Sequence, residues 1–224
     1  MASLPKKVTF YLDFISPYTW LALARAETFA KEHGIAWEPR PVVYAALLDA
    51  HGLVGPVETE AKRRYTLHDV ARSAQALGLR LVGPPAHPFR SLAALRTLCA
   101  YRRGPAAMRL ARLLSDAAWG EGRDLTDGGV LRDVVEKAGL PSDGLADRIA
   151  SAEVKDELRR LTDEALAIGV FGVPTFVLEG ELFWGHDRLE ALGRRLAGEP
   201  QPSADLVGTK LARPRGAERT RRSG

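Results

Sequence analysis

The pattern of hydrophobic and polar positions predicts a β-α-β unit at the start of the chain. Residues 8–13 alternate apolar with polar side chains, as a half-buried strand does, and residues 35–43 predict a second strand. Between them, Ser16 and Pro17 predict a helix start, because serine caps helix N-termini and proline needs no donor in the first turn. Gly34 predicts the end of that helix. Parallel strands joined in this way favour a right-handed crossover.

The middle of the chain, from Tyr44 to about Ile168, shows almost only helical periodicity. The predicted helical stretches are 61–77, 92–102, 106–119, 128–138, 145–150 and 154–168. Residues 79–90 interrupt them with a segment rich in proline, which is typical of a loop because each proline removes a donor and restricts its predecessor.

Strand signals return near the end of the chain. Residues 174–178 and 181–184 predict a hairpin with a turn at 179–180. Asp187 is expected to cap a closing helix that runs to about residue 197. This order of elements predicts an α/β, thioredoxin-like fold with a helical domain inserted after the second strand.

The predicted domain organisation has three parts. They are a thioredoxin-like domain in two segments (1–44 and 169–198), an inserted α-helical domain (45–168) and a basic tail (199–224). Six basic and three acidic residues lie in the tail, so it carries most of the net charge of +4. We interpret the tail as solvated and disordered, although it could also touch nucleic acid or anionic lipid. A body near neutrality argues against nucleic-acid binding as the main function.

The sequence argues against a membrane span, a signal peptide, an internal disulfide and a metal site. No apolar run approaches the ~20 residues that a membrane helix needs, so no membrane association is expected. The first residues lead into a strand and do not have the apolar core of a signal peptide. The single cysteine, Cys99, excludes an internal disulfide and fits a reducing cytoplasm. No His/Cys cluster has zinc-binding spacing, so no metal is predicted.

Ser16 is the first candidate for chemistry. A helix N-terminus has unpaired N–H groups and a partial positive charge, which favour an anion. Thioredoxin-like proteins place a reactive cysteine there, but this chain has Ser16 and Thr19, so dithiol chemistry is excluded. The Ser16 hydroxyl can instead donate a hydrogen bond to a thiolate from another molecule. The alternative interpretation is a helix cap with no further function.

Val173 and Pro174 form the second candidate. If their peptide bond is cis, the backbone of Val173 is free to pair with an extended peptide, as in strand addition. The alternative is an ordinary trans proline that opens an edge strand.

Three segments carry a family resemblance. They are Phe14-Ile15-Ser16-Pro17-Tyr18, the run from Gly169 to Phe176, and the run from Phe183 to Leu189. Together they resemble the 2-hydroxychromene-2-carboxylate isomerase family, relatives of kappa-class glutathione transferases and DsbA oxidoreductases. The resemblance implies a glutathione cofactor, a homodimer and isomerisation of a conjugated aromatic keto acid through thiol addition, bond rotation and elimination.

The resemblance also implies roles for individual residues. Ser16 would anchor the glutathione sulfur, and Val173 with Pro174 would hold its backbone. His186 and Asp187 would line its γ-glutamyl end. The alternatives are a general base or an exposed loop residue for His186, and a helix cap for Asp187. The remaining candidates are expected to contact substrate: Pro17, Tyr18, Glu58, Lys62, Arg63 and Trp184.

Two of these positions depart from the family pattern. Glu58 and His186 stand where the well-studied isomerases carry asparagine, so the exact substrate stays open. Lys62 and Arg63 suit a substrate carboxylate, while a solvated helix face is the alternative. Two rival functions share the predicted site. One is a kappa-like glutathione transferase or peroxidase, and the other is a thioredoxin-fold protein that binds partners without catalysis.

Overall fold

The computed structural model describes residues 5–214 and has a central sheet of four strands. The strands are β1 (Lys6–Leu12), β2 (Ile35–Pro41), β3 (Thr175–Leu178) and β4 (Glu181–Trp184), in the order β2-β1-β3-β4. β1 pairs in parallel with β2 and antiparallel with β3, and β3 pairs antiparallel with β4. The first pairing needs a crossover helix and the last only a tight turn. The α/β, thioredoxin-like fold is therefore confirmed.

Ten α-helices lie among the described residues. They are α1 (Pro17–His33), α2 (Tyr44–His51), α3 (Glu60–Ala76), α4 (Leu92–Tyr101), α5 (Ala107–Trp119), α6 (Gly128–Lys137), α7 (Leu145–Ala150), α8 (Ala152–Ala167), α9 (Leu189–Leu196) and α10 (Ala204–Leu211). Short 3₁₀ turns at Pro56–Glu58 and His186–Arg188 precede α3 and α9. The predicted ends of α1 are confirmed: Ser16 caps its start, and Gly34 ends it with a left-handed φ of 62°.

Strand β1 lies at the centre of the sheet and is buried on both faces. On one face Phe10 contacts Phe176 edge to face, with 4.8 Å between ring centroids. On the other, Tyr11 packs with Val42 and Val173. Because both faces are covered, the end of β1, and with it the start of α1, has a fixed position.

The inserted helices share a core with the sheet. Phe10 on β1 and Trp20 on α1 belong to the same buried cluster as Leu110 and Leu114 on α5. Trp20 also donates from Nε1 to Asp116 Oδ1 at 2.8 Å. The insertion is thus continuous with the thioredoxin-like part, and α5 supports the helix that begins at Ser16.

Two expectations near the C-terminus were wrong. Asp187 caps no helix: the 3₁₀ turn takes its place, α9 begins at Leu189, and Asp187 lies 3.0 Å from the Arg188 guanidinium. The tail is not disordered throughout, because α10 forms with Ser203 accepting from the Leu206 N–H as its cap. Residues 215–224, which hold four of the six basic tail residues, lie outside the described part of the chain.

Candidate active site

A cavity of about 790 Å³ lies between the N-terminus of α1, the 3₁₀ turn before α3, α3 itself and the segment after β4. Nine residues predicted from the sequence line it: Ser16, Pro17, Tyr18, Glu58, Val173, Pro174, Trp184, His186 and Asp187. Segments from both ends of the chain therefore meet at one place. The volume suits a small-molecule ligand.

The structure does not bring Lys62 and Arg63 into this lining. Both lie on the first turn of α3, where every residue from 60 to 65 is exposed. The packed part of α3 begins only at Thr66. The turn that carries the two cations consequently faces solvent.

Ser16 uses its hydroxyl in two directions. Its Oγ accepts a hydrogen bond from the Thr19 N–H at 3.3 Å, which is the helix cap that the sequence predicts. The same hydroxyl donates to the carbonyl oxygen of Val173, also at 3.3 Å. Ser16 is thus both the cap of α1 and a polar contact to the segment before Pro174.

Side chains hold the loop before Ser16 in place. The buried Asp13 carboxylate accepts from the Ile15 N–H at 3.1 Å and from the Tyr44 N–H at 3.0 Å. Burial raises the pKa of Asp13, although hydrogen bonds oppose this effect. Trp119 Nε1 donates to the Phe14 carbonyl at 2.9 Å. These bonds leave the first turn of α1 little freedom to move.

The Val173–Pro174 peptide bond is cis. Val173 is 7% exposed, and its carbonyl accepts the Ser16 hydroxyl hydrogen. On the other side, the Pro174 carbonyl accepts from the Gly185 N–H at 2.9 Å. The segment before β3 is therefore joined both to the start of α1 and to the chain that follows β4.

A stacked ring pair forms a second wall of the cavity. The rings of Tyr18 and His186 are nearly parallel, 8° apart, with 5.2 Å between centroids. Tyr18 donates from its hydroxyl to Asp69 Oδ2 at 2.9 Å. Burial, followed by the hydrogen bond and charge of Asp69, raises the pKa of Tyr18 well above its ordinary value, so Tyr18 stays protonated.

His186 is neutral at pH 7 in this wall. Burial lowers its pKa, an effect that Asp187 and Asp69 oppose and Arg25 reinforces. Its Nδ1 is enclosed and has no hydrogen-bond partner among residues 5–214.

An aromatic and an acidic side chain, Trp184 and Glu58, also line the cavity. Trp184 is 53% exposed and meets Phe171 edge to face, with 4.8 Å between centroids. Glu58 closes its own 3₁₀ turn, because its Oε1 accepts from the Gly55 N–H at 2.7 Å. Both side chains remain accessible to a ligand.

The chain is similar to known proteins over most of its length. A DsbA-like thioredoxin domain model matches residues 7–197. A 2-hydroxychromene-2-carboxylate isomerase from Sphingobium xenophagum is 32% identical over 192 residues, which cover 84% of this chain and 96% of that protein. One from Pseudomonas putida is also 32% identical, over 89% of this chain and 98% of that protein.

This chain belongs to the 2-hydroxychromene-2-carboxylate isomerase family, with a DsbA-like thioredoxin domain. A solved 2-hydroxychromene-2-carboxylate isomerase is similar throughout, with a TM-score of 0.79, 28% identity and coverage of 92% of this chain and 100% of that one. Human glutathione S-transferase kappa 1 is 27% identical, over 88% of this chain and 93% of that protein. The family resemblance expected from the end motifs is confirmed.

This member of the isomerase family has no thiol in its cavity. Its single cysteine, Cys99, lies in α4 and is 8% exposed. Burial raises the pKa of the Cys99 thiol to about 12. Any thiol that reacts in the cavity therefore comes from a bound molecule.

Sequence reasoning missed several lining residues. Thr66, Asp69 and Ser73 lie at helical spacing on α3 and line the cavity. The sequence signal for them was a stripe of polar residues beside the apolar stripe of this helix. Tyr44 and His87 also line it. His87 lies in the proline-rich loop, where no periodicity marks it.

Among residues 5–214, none of the helices is both long and apolar enough to cross a membrane. In the same range, no group of three His, Cys, Asp or Glu side chains is arranged to hold a metal ion.

Proposed function

We propose that the protein is a glutathione-dependent isomerase of the 2-hydroxychromene-2-carboxylate type. Ser16 carries this proposal: a hydroxyl stands at the helix N-terminus where the thioredoxin fold can hold a reactive cysteine, and it points to the Val173 carbonyl. Three isomerases at 32% identity over most of the chain support the same activity. The buried Cys99 leaves a bound molecule as the source of the thiol.

The residues of the cavity fit glutathione. The Val173 N–H has no acceptor among residues 5–214, and the Val173 carbonyl is occupied by the Ser16 hydroxyl. An extended peptide laid along Val173 can satisfy the N–H, as in strand addition. It also releases the Ser16 hydroxyl, which then donates to the sulfur. One intramolecular contact is thus exchanged for several contacts to the tripeptide.

Residues of this chain then position the two ligands. When bound, glutathione supplies a thiol that adds reversibly to the conjugated double bond of the keto acid, so that this bond can rotate. The N-terminus of α1 favours negative charge beside Ser16. His186 and Asp187 line the γ-glutamyl end, and Pro17, Tyr18 and Trp184 offer a largely apolar surface for the aromatic ring.

The substrate carboxylate needs a cation, and Arg188 lines the cavity where Lys62 and Arg63 do not. Its guanidinium lies 3.0 Å from Asp187 Oδ2 and is 57% exposed, so it can reorient toward a ligand. We therefore assign to Arg188 the role that was expected of Lys62 and Arg63.

The test is an isomerase assay that starts from 2-hydroxychromene-2-carboxylate and follows formation of trans-o-hydroxybenzylidenepyruvate by absorbance. We expect turnover with reduced glutathione and none with S-methylglutathione, which has no free thiol. Equal turnover without any thiol would overturn the cofactor assignment. No turnover under any condition would overturn the substrate assignment.

A kappa-like transferase is the second candidate, favoured by the 27% identity to the human enzyme. The same thiol site serves both reactions, so glutathione binding does not separate them. A chlorodinitrobenzene assay does: conjugation faster than isomerisation would favour the transferase. The homodimer and the cytoplasmic location stay predictions, and sedimentation velocity checks the first.

A further inference from the structure

His87 is held in one orientation in the cavity lining. Its Nε2 lies 3.0 Å from the carbonyl oxygen of Ile15, the residue before Ser16. The ring also meets Trp119 edge to face, with 5.1 Å between centroids. Because a carbonyl oxygen only accepts hydrogen bonds, Nε2 must carry the hydrogen, and in the neutral ring Nδ1 keeps a free lone pair.

That lone pair is accessible. No hydrogen bond to His87 Nδ1 occurs among residues 5–214, and the atom is not one of the enclosed, unpartnered ones. The other cavity histidine differs, since Nδ1 of His186 is enclosed. Of the two histidines in the lining, His87 is therefore the one whose Nδ1 is not enclosed and can accept a hydrogen from a ligand.

The charge state suits proton acceptance. Burial lowers the pKa of His87, the positive charge of Arg63 on α3 lowers it further, and the bond to Ile15 opposes them. Glu58 and Asp69 lie in the same cavity lining. His87 is therefore neutral at pH 7.

We propose that His87 is the proton acceptor of this site and that its Nδ1 takes the proton of the glutathione thiol held against Ser16. The S–H bond breaks, an N–H bond forms, and the imidazolium returns the same proton when the thiol leaves. No oxidant or reductant is required. This assignment rests on the proposed glutathione-dependent function.

Two substitutions separate proton transfer from a structural role. His87→Gln keeps an N–H donor for the Ile15 carbonyl, and His87→Phe keeps a ring against Trp119. If His87 has only a structural role, at least one of these variants should keep its activity. If His87 transfers a proton, both variants should lose activity. His51→Gln is the matched control, because His51 Nε2 also meets a backbone carbonyl, that of Val170, at 3.1 Å but outside the cavity lining.

The experiment measures glutathione affinity by calorimetry, thiolate formation by ultraviolet absorbance, and the pH profile of kcat/KM. For both His87 variants we expect near-wild-type affinity, less thiolate at neutral pH, and a loss of roughly 100-fold in kcat. The acid limb of the wild-type profile, where His87 becomes protonated, should disappear. His51→Gln should match the wild type in every measurement.

Three outcomes would overturn the assignment. The first is wild-type activity in either His87 variant. The second is an acid limb that persists in both and disappears in His186→Asn. The third is unchanged thiolate absorbance in both His87 variants. If the wild type binds no glutathione, the proposed function fails first and the role of His87 fails with it. Normal binding with unaffected variants would remove only His87.

Discussion

The Ser16 hydroxyl donates to the Val173 carbonyl oxygen at 3.3 Å, across 157 residues of sequence. This bond joins the start of the crossover helix to the segment before the cis proline. The same hydroxyl caps α1, so a cap and a binding group coincide in one atom. A test of Ser16 must therefore separate the cost of a lost cap from the loss of function.

The first prediction concerns Ser16→Ala. Loss of the cap should lower the free energy of unfolding by about 1 kcal/mol. Loss of the donor to sulfur should lower turnover at least ~10-fold, because a positioned donor acts directly on the reacting charge. Urea unfolding and the isomerase assay measure the two effects.

The control for Ser16 is Ser151→Ala. Ser151 caps α8 in the same way: its Oγ accepts from the Val154 N–H at 3.3 Å and donates to the Arg148 carbonyl at 2.8 Å, outside the cavity lining. It should lose similar stability and keep full turnover. Equal turnover in both variants would show that Ser16 is a cap alone.

The second prediction is that Cys99→Ala keeps glutathione-dependent turnover. The thiol is buried and its pKa is raised to about 12, so it is largely protonated and inaccessible. Removing the sulfur should cost about 1 kcal/mol of stability through the small void left behind. The wild type should also react slowly with Ellman's reagent when folded. Loss of turnover in a folded Cys99→Ala protein would show that the mechanism needs this thiol.

The third prediction concerns Gly172, which lies against Trp184. A Cβ on Gly172 would lie 2.6 Å from Trp184 Nε1 and 3.2 Å from its Cε2, so the half-exposed indole must move. Gly172→Ala should therefore raise KM for the aromatic substrate roughly 3- to 10-fold, by about the free energy of one lost aromatic contact. Glutathione affinity should stay the same.

Gly128→Ala is the matched control, since a Cβ there meets nothing within 4 Å. It should leave both KM and tryptophan fluorescence unchanged. If Gly172→Ala also leaves KM unchanged, Trp184 does not contact the substrate.

The fourth prediction is a pH dependence of stability. Burial lowers the pKa of both His87 and His186 in the folded state. At pH values between those lowered pKa values and the ordinary pKa of ~6.5, the unfolded chain binds more protons than the folded chain. Stability therefore rises with pH in this range and is lost on acidification. Asp13, whose pKa is raised, acts in the opposite direction above its ordinary pKa of ~3.9.

Comparison with a double variant isolates the two histidines. In His87→Gln with His186→Asn, the free energy of unfolding should depend less on pH below 6.5 than it does in the wild type. Urea titrations at several pH values measure both proteins. If the free energy of unfolding changes with pH as steeply in the double variant as in the wild type, other groups cause the pH dependence.

Much of the fold could be predicted because local signals dominate it. Alternation predicted the first strand, and Ser16 and Gly34 marked both ends of α1 as the structure has them. The prediction that Asp187 caps a helix was wrong because an acidic residue before an apolar run also occurs within a 3₁₀ turn, and backbone geometry decides between the two. The helix α10 buries none of its residues, so no apolar face in the sequence predicted it.

The site could be predicted only where sequence motifs exist. Ser16 and Val173 stood in the end motifs, and the structure joins them. His87 meets Ile15 across 72 residues and Asp69 meets Tyr18 across 51, and such contacts depend on how the insertion folds back. Lys62 and Arg63 lie on an exposed helix turn outside the cavity lining, a placement that their chemistry does not reveal in the sequence.

Titration of the purified wild-type protein with reduced glutathione, followed by calorimetry at neutral pH, shows whether glutathione is the cofactor. We predict saturable binding with one site per chain. Ser16→Ala should weaken this binding, and Ser151→Ala should leave it unchanged. No detectable heat over a millimolar range of glutathione, from a protein shown to be folded, would contradict this prediction.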